Sequence, residues 1–308
     1  MNIVFMGTPD FAVPSLEILL KNNYRIAAVV TAPDKPRGRG QHVSFTPVKE
    51  CALKNSLSLL QPDSLTAMSF ISPLASLRPD LFVVAAFRIL PPQVFSIPTM
   101  GAFNLHASLL PKYRGAAPIN WAIINGEKES GVTTFFLQEK VDTGSVILQA
   151  RVAVPETMTA GDLHDTLADV GAEIVLQTVR LIELGKAQPR KQDDTLASPA
   201  PKIFKDDCRI DWKKPAVSVH NFIRGLSPYP AAWTTHDGTM LKVYRSEKSE
   251  YRIQNTEPGK TAALGGKLYV AAGDGAISVL EIQQEGKKRM RADEFLRGYN
   301  FNEGDILR

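Results

Sequence analysis

The sequence contains few of the residues that build disulfide frameworks and metal sites. Its 308 residues include two cysteines, Cys51 and Cys208, which lie far apart and outside any Cys-x-x-Cys spacing. The five histidines are scattered, with no His-x-x-x-His or Glu-x-x-His pair among them. This composition disfavours a disulfide-stabilised scaffold and a structural zinc site. We therefore expect a protein of a reducing compartment that needs no metal.

Targeting segments and long apolar runs are missing as well. The first strand-like run begins at Asn2, and neither a signal-peptide pattern nor an Arg-rich transit pattern precedes it. No uncharged apolar stretch has the roughly 20 residues that a membrane-spanning helix needs. We therefore expect a cytoplasmic protein with no membrane partner.

The excess of positive charge is small and unevenly distributed. The net charge is +4 at pH 7. Residues 201–308 carry 18 Lys and Arg against 14 Asp and Glu, whereas residues 1–200 carry 18 of each. The whole excess therefore lies in the last third of the chain, which fits a polyanionic partner but also an ordinary solvated surface.

Length and periodicity predict two domains, the first of them an α/β domain. A chain of 308 residues exceeds the usual size of a single hydrophobic core. Residues 1–33 follow the order strand, turn, helix, strand, and an apolar strand follows at 81–86. This alternation predicts a Rossmann-like, mostly parallel sheet. Residues 7–10, GTPD, do not match Gly-x-Gly-x-x-Gly, so a dinucleotide site is disfavoured.

The second half of the sequence predicts a hairpin, a long helix, a linker and a small β domain. Strand patterns at 131–137 and 145–148 predict the hairpin, and an apolar stripe predicts a helix over 159–184. Proline and polar residues mark 189–208 as the linker between domains 1–188 and 209–308. Short strands that predict an OB-type barrel lie at 210–212, 233–235, 241–244, 267–270 and 277–280.

The stretch from Gly101 to Trp121, GAFNLHASLLPKYRGAAPINW, carries the strongest signal for chemistry. Alternating apolar and polar residues predict a strand on which Asn104 and His106 face the same side. With Asp142 from a later turn, an amide and an imidazole could form an acid/base and oxyanion site. On spacing alone, such an Asn and His are more often structural residues with satisfied hydrogen bonds.

The string NLHASLLPKYRGAAPI at residues 104–119 closely resembles the signature of the 10-formyltetrahydrofolate-dependent formyltransferases. Within that family it is most similar to the members that act on methionyl-initiator tRNA. The resemblance implies transfer of the formyl group of 10-formyltetrahydrofolate to the α-amino group of this tRNA, for translation initiation. It also implies a catalytic α/β domain and a tRNA-binding barrel, without a metal, and we expect a monomer.

The resemblance assigns roles to individual residues. Asn104, His106 and Asp142 are the implied catalytic residues. The carboxyl end of the apolar strand is where α/β sheets bind ligands, but the chain has Ala86, Phe87 and Arg88 where the family commonly has Tyr-Gly. We expect backbone groups of this turn to hold the pterin, which leaves the roles of the Phe87 and Arg88 side chains open. The implied folate-binding residues are Ile89, Leu90, Ser108, Leu109, Leu110 and Pro111.

Residues 33–46, PDKPRGRGQHVSFT, predict a long cationic loop. A solvated surface loop and a contact with RNA phosphates fit this composition equally well. The resemblance favours contact with the tRNA acceptor arm, with Arg39 as the important residue. The predicted tRNA-facing residues are Lys35, Arg37, Arg39, Lys287, Lys288 and Arg289, with Arg224 and Arg291 as further candidates.

The implied reaction begins with attack of the amine on the formyl carbon, which places negative charge on the formyl oxygen. We expect His106 and Asn104 to donate hydrogen bonds to that oxygen. Asp142 either orients His106 or relays the proton of the amine through a water, and the sequence leaves both roles open.

Two other functions remain open. The same core would suit a formyltransferase for glycinamide ribonucleotide or for an amino-sugar nucleotide. A non-catalytic RNA-binding protein is the alternative from a different class. The cationic loop and the barrel favour tRNA among the acceptors, and the presence of all three catalytic residue types favours an enzyme.

Overall fold

A computed structural model of the chain describes residues 1–37, 42–251, 257–302 and 304–308. These residues form two compact units that interleave along the chain. The first unit comprises residues 1–115, 131–152 and 164–199, and the second comprises 116–130, 153–163 and 200–308. Contacts thus divide the chain differently from the contiguous blocks 1–188, 189–208 and 209–308, which remain a prediction.

Strands and helices alternate through the first 198 residues. The strands are β1 (Asn2–Gly7), β2 (Arg25–Val30), β3 (Lys35–Arg37), β4 (His42–Ser44), β5 (Leu59–Leu60), β6 (Leu81–Ala85), β7 (Ala102–His106), β8 (Arg114–Gly115), β9 (Glu129–Phe136) and β10 (Val146–Ala153). The helices are α1 (Val13–Lys21), α2 (Pro47–Lys54), α3 (Met68–Ser76), α4 (Pro92–Phe95), α5 (Pro118–Ile124) and α6 (Ala160–Glu183).

The first unit is built on a mostly parallel sheet with the strand order β10-β9-β7-β6-β1-β2-β5. Strand β1 pairs in parallel with β2 and β6, and β6 pairs in parallel with β7. All five residues of β6 are buried, as expected for a strand that is covered on both faces. The prediction of a Rossmann-like sheet is confirmed, and the carboxyl ends of β1, β6 and β7 meet at one edge.

The sheet changes direction beside β7. Strand β9 pairs antiparallel with β7, so that His106 lies opposite Thr133 and Asn104 lies opposite Phe135. Strand β10 follows β9 at the edge of the sheet, which confirms the predicted hairpin. Strand β9 therefore ends beside the start of β7, where Phe136 lies opposite Phe103, and the turn that follows brings Asp142 back to within 3.8 Å of His106.

The connection after β1 is a tight turn. A Cβ atom on Gly7 would lie 2.7 Å from the Cβ of Ala12 and 3.0 Å from the carbonyl oxygen of Ala85. A short 3-10 helix, Asp10–Ala12, leads from the turn into α1. The glycine is needed here because the first helix packs directly against the strand ends.

The remaining elements belong to the second half of the chain. The strands are β11 (Pro199–Ala200), β12 (Ala232–His236), β13 (Thr239–Ser249), β14 (Thr261–Leu264), β15 (Lys267–Ala271), β16 (Ala276–Gln284) and β17 (Met290–Arg291). The helices are α7 (Ala216–Gly225) and α8 (Ala292–Phe295).

The sheet of the second unit is antiparallel, with the order β12-β13-β16-β15-β14 and with β17 beside β16. Leu241, Val270 and Ile277 are fully buried in its apolar core. The arrangement agrees with the predicted OB-like architecture. Within the described residues the sheet does not close into a complete barrel.

Three elements differ from the sequence predictions. The predicted strand at 210–212 is wrong, because a single bridge joins Arg209 to Trp233 there and no strand forms. The predicted loop at 33–46 contains the antiparallel pair β3 and β4. Helix α7 has no counterpart among the predicted elements, whereas α6 agrees with the helix predicted over 159–184. None of the helices in the described ranges is long and apolar enough to cross a membrane.

Candidate active site

Strand β7 presents Asn104 and His106 on the same face at its carboxyl end. The side chain of His106 is 7% exposed, and Asn104 is half-buried. Among the described residues, none forms a hydrogen bond with the Asn104 amide. The amide therefore keeps both of its N–H donors for a bound molecule.

Hydrogen bonding fixes the state of the His106 ring. Its Nε2 atom lies 2.8 Å from the carbonyl oxygen of Tyr113. Because a carbonyl oxygen can only accept, Nε2 carries the hydrogen and donates it. In the neutral ring the unprotonated nitrogen is then Nδ1, which lies 3.8 Å from Oδ2 of Asp142.

Asp142 reaches this site from the turn between β9 and β10. Its side chain is 11% exposed, and Oδ2 accepts a hydrogen bond of 2.9 Å from the backbone N–H of Gly115. The residue has a φ of 55°, in the left-handed region that aspartate tolerates better than most residues. The fold therefore brings His106 and Asp142, which are far apart in sequence, into one buried cluster.

The segment after β7 is held by its own hydrogen bonds. Ser108 is fully buried, and its hydroxyl donates to the carbonyl oxygen of Lys112 at 2.6 Å. Thr133 Oγ1 accepts from the N–H of Leu110 at 3.1 Å, and Gln149 Nε2 donates to the Leu110 carbonyl at 2.8 Å. Leu110 is buried, whereas Leu109 and Pro111 are partly exposed and can contact a ligand.

The turn after β6 adds an apolar surface at the same edge of the sheet. Ile89 is 71% exposed, and Leu90 is buried. The guanidinium of Arg88 donates to the carbonyl oxygens of Pro62 at 2.6 Å and Asp63 at 3.0 Å. The Arg88 side chain thus ties this turn to the segment that follows β5, a role that the sequence left open.

The predicted RNA-facing residues fall into two groups. Lys35 and Arg37 lie in β3, and Arg39 lies outside the described residues. In the second unit, Lys287 and Lys288 are exposed between β16 and β17. Arg289 is also exposed, but it forms an ion pair with Glu281 and lies 4.4 Å from the Tyr244 ring centroid.

The prediction of a surface role for Arg224 is wrong. Its side chain is buried, and Nη1 donates to the carbonyl oxygens of Pro155 at 3.1 Å and Met158 at 2.9 Å. Burial lowers the pKa of this guanidinium, which nevertheless remains protonated. Arg224 therefore stabilises the second unit.

The sequence does not reveal the groups that position the candidate catalytic side chains. The Tyr113 carbonyl and the Gly115 N–H belong to the backbone, and no side-chain pattern identifies them. Gln192, in the predicted linker, donates to the carbonyl oxygens of Asp142 and Gly144. Within the described ranges, no group of three or more His, Cys, Asp and Glu could hold a metal ion.

The fold and the site define a group-transfer enzyme on a Rossmann-like sheet. The family model described as formyl transferase matches residues 1–179, and the model for the formyl transferase C-terminal domain matches residues 202–300. The chain belongs to the formyl transferase family.

Two relatives that match over nearly the full length are methionyl-tRNA formyltransferases. The enzyme of Caldanaerobacter subterraneus subsp. tengcongensis is 49% identical over 100% of both chains. The enzyme of Chlorobium limicola is 52% identical over 98% of this chain and 97% of its own.

Solved structures share the fold at lower sequence identity. An N-formyltransferase from Helicobacter canadensis in complex with folinic acid and dTDP-3-aminofucose has a TM-score of 0.66 and 22% identity, covering 94% of this chain and 99% of its own. HypX from Aquifex aeolicus in complex with tetrahydrofolic acid has a TM-score of 0.66 and 18% identity, covering 100% of this chain and 51% of its own.

Proposed function

We propose that the protein transfers the formyl group of 10-formyltetrahydrofolate to the α-amino group of methionyl-initiator tRNA, giving formylmethionyl-tRNA for translation initiation. The observation that carries this proposal is the grouping at the end of β7, where the Asn104 amide has free donors and His106 lies beside Asp142. Full-length similarity to methionyl-tRNA formyltransferases supports the choice of acceptor.

The chemistry proceeds through a tetrahedral species. The amine nitrogen attacks the formyl carbon, the new C–N bond forms, and charge develops on the formyl oxygen. The Asn104 amide donates a hydrogen bond to this oxygen, and a single such donor typically lowers the barrier by about 3–4 kcal/mol. Collapse of the species breaks the bond to N10, which takes up the proton released by the amine.

His106 acts here as a proton acceptor through Nδ1, and not as the expected donor to the formyl oxygen, because the Tyr113 carbonyl already accepts the N–H on Nε2. Nδ1 accepts the proton of the attacking amine, and the resulting imidazolium donates it onward. Asp142 lies 3.8 Å from this nitrogen, which is too long for a direct hydrogen bond. We assign Asp142 to stabilising the imidazolium by its charge, rather than to taking the proton itself.

Binding of the two substrates uses the surfaces described above. We propose that Ile89, Leu90 and the segment 108–111 contact the folate, and that the β3–β4 region with Arg39 contacts the tRNA. Lys287, Lys288 and Arg289 are the proposed tRNA contacts of the second unit. We propose that the enzyme acts as a monomer in the cytoplasm, where its tRNA substrate is used.

A comparison of acceptors tests the proposal. Purified protein is given 10-formyltetrahydrofolate with methionyl-initiator tRNA, glycinamide ribonucleotide or a dTDP-linked amino sugar, and release of tetrahydrofolate is measured. We expect turnover with the aminoacylated tRNA and background rates with both small acceptors. Uncharged initiator tRNA serves as the control because it lacks the α-amino group. Preferential formylation of either small acceptor would overturn the assignment.

A further inference from the structure

Gln192 makes a set of hydrogen bonds that converge on the turn carrying Asp142. The side chain is buried, at 7% exposure. Its Nε2 atom donates to the carbonyl oxygen of Asp142 at 2.9 Å and to that of Gly144 at 2.8 Å. Its Oε1 atom accepts from Nε and Nη2 of Arg114 at 3.1 Å and 2.7 Å.

This pattern permits a single orientation of the amide. The guanidinium of Arg114 can only donate and the two backbone carbonyls can only accept, so exchanging Oε1 and Nε2 would break every bond. Both N–H groups and both acceptor sites of the amide are used. A fully satisfied buried amide resists rotation, because any movement leaves buried polar groups without partners.

The guanidinium itself is held from the other side. Nη2 of Arg114 also donates to Oδ1 of Asp194 at 2.7 Å, and this hydrogen bond lowers the pKa of the Asp194 carboxyl. Gly115, the next residue along the chain, donates its N–H to Oδ2 of Asp142. The segment 114–115 therefore holds the turn that carries Asp142 in two ways. Arg114 acts through Gln192, which binds the backbone of the turn, and Gly115 binds the Asp142 carboxylate directly.

We propose that Gln192, oriented by Arg114, is a positioning residue that holds the Asp142 carboxylate at its working distance from His106. The inference rests on the proposed function, in which that carboxylate stabilises the imidazolium. Gln192 touches neither reacting group, and it acts through the backbone of residues 142 and 144. A displacement of about 1 Å can cost about 100-fold in rate.

Two substitutions of similar size test the role. Gln192→Glu keeps an acceptor for the Arg114 guanidinium but places a carboxylate oxygen against the two backbone carbonyl oxygens. Gln192→Met removes all four hydrogen bonds without adding charge. We expect both to lower kcat by about 10- to 100-fold while the KM for each substrate stays near the wild-type value.

Asp193→Ala is the matched control in the same segment. Asp193 caps a short 3-10 helix, Asp194–Leu196, by accepting from the N–H of Thr195 at 3.0 Å, and no hydrogen bond joins it to the 142–144 turn within the described residues. This variant should lower the thermal midpoint and leave kcat unchanged. Positioning by Gln192 is refuted if both Gln192 variants keep wild-type kcat, or if Asp193→Ala lowers kcat by as much as the Gln192 variants do.

A second measurement separates this inference from the proposed function. If the wild-type chain transfers no formyl group to tRNA, the proposed function fails regardless of Gln192. Hydrogen exchange of the Gly115 amide then reports the turn without turnover, because this N–H is bonded to Asp142. We expect faster exchange in Gln192→Met and wild-type exchange in Asp193→Ala; unchanged exchange in Gln192→Met would overturn the positioning role.

Discussion

At the scale of single residues, the site is defined by which polar atoms are already engaged. His106 has one nitrogen committed to the Tyr113 carbonyl and one that faces Asp142. Asn104, two residues earlier on the same strand face, has an amide without a partner among the described residues. Its donors are therefore open to a bound molecule.

Alanine substitution at the three proposed catalytic positions tests this division of roles. Asn104→Ala, His106→Ala and Asp142→Ala should each reduce formylation of methionyl-initiator tRNA by about 100-fold or more, since one oxyanion donor alone is worth that much. Folate binding, measured by fluorescence or calorimetry, should persist. Ser72→Ala, at an exposed position of α3, is the control and should retain full activity. Near-normal turnover of His106→Ala would contradict the mechanism.

The sequence indicates the proposed catalytic side chains more readily than the groups that hold them in place. Asn104 and His106 lie two apart on a strand, and that spacing predicts their common face. Asp142 depended on family resemblance, because an aspartate before Thr-Gly is ordinary turn chemistry. Gln192 gave no signal, since a hydrogen bond across 50 residues follows from the tertiary fold and from no local period.

At the scale of elements, the turn between β9 and β10 is the most constrained part of the site. A Cβ atom on Gly144 would overlap with the carbonyl oxygen of Phe136 and lie 3.0 Å from the Phe135 ring. The glycine therefore lets the backbone approach its own strand closely enough for Asp142 to point at His106.

Gly144→Ala should displace this turn. We expect a lower kcat, by about 10- to 100-fold as for other small misplacements of a catalytic group, together with a lower thermal midpoint. Steady-state kinetics and thermal unfolding check the two effects. Gly298→Ala is the control, because a Cβ atom there meets nothing within 4 Å. Wild-type kcat in Gly144→Ala would show that the turn tolerates the shift.

Helix α7 carries a buried histidine in the second unit. Nε2 of His220 donates to the Glu156 carbonyl at 3.1 Å, and Nδ1 lies 3.1 Å from Oγ of Ser246, whose hydroxyl donates to it. Burial lowers the pKa of His220 below its ordinary value of 6.5, and the nearby charges of Arg224 and Lys248 act in the same direction. The neutral ring is therefore the folded form.

Because of this lowered pKa, the folded protein becomes less stable as the pH falls. Below pH 6.5 the unfolded chain binds a proton at His220 that the folded chain does not, so the free energy of unfolding falls as pH falls toward the folded pKa. We expect this decline, measured by urea unfolding, to be shallower in His220→Gln, which cannot titrate. Equal pH slopes for the two proteins would show that His220 does not contribute.

Elements with strong apolar patterns were predicted well, and elements defined by tertiary contacts were not. The buried run of β6 and the apolar stripe of α6 appear where the sequence places them. Helix α7 begins directly after Pro215, in a region for which the sequence predicts a β domain. The β3–β4 pair lies in a Gly- and Pro-rich stretch, a composition that indicates a loop because it weakens strand propensity.

At the scale of the whole molecule, charge is distributed in a way that bears on RNA binding. The surplus of +4 falls entirely within residues 201–308, among them the exposed Lys287 and Lys288. Arg289 has its charge offset by Glu281, so it should contribute less to attraction at a distance.

The salt dependence of tRNA affinity measures the contribution of these charges. The apparent affinity for initiator tRNA should fall as ionic strength rises, with a slope of about 0.7–0.9 per phosphate contact, whereas the KM for folate should change little. Lys287→Ala and Lys288→Ala should each reduce that slope by about 1. Lys54→Ala removes the same charge from an exposed position at the end of α2 and is the control. An unchanged salt-dependence slope in both variants would show that these lysines do not contact the tRNA.

The hydrogen bond between His106 and the Tyr113 carbonyl limits how the ring can transfer a proton. A histidine with two open nitrogens can pass a proton through its ring, in at one side and out at the other. Here the N–H on Nε2 is hydrogen-bonded to the Tyr113 carbonyl oxygen, which cannot take up the proton. A proton that binds at Nδ1 must therefore leave from Nδ1. The imidazole therefore accepts and releases the proton at the same nitrogen. In the proposed reaction, the nucleophile and the departing folate nitrogen must both come to the same side of the ring.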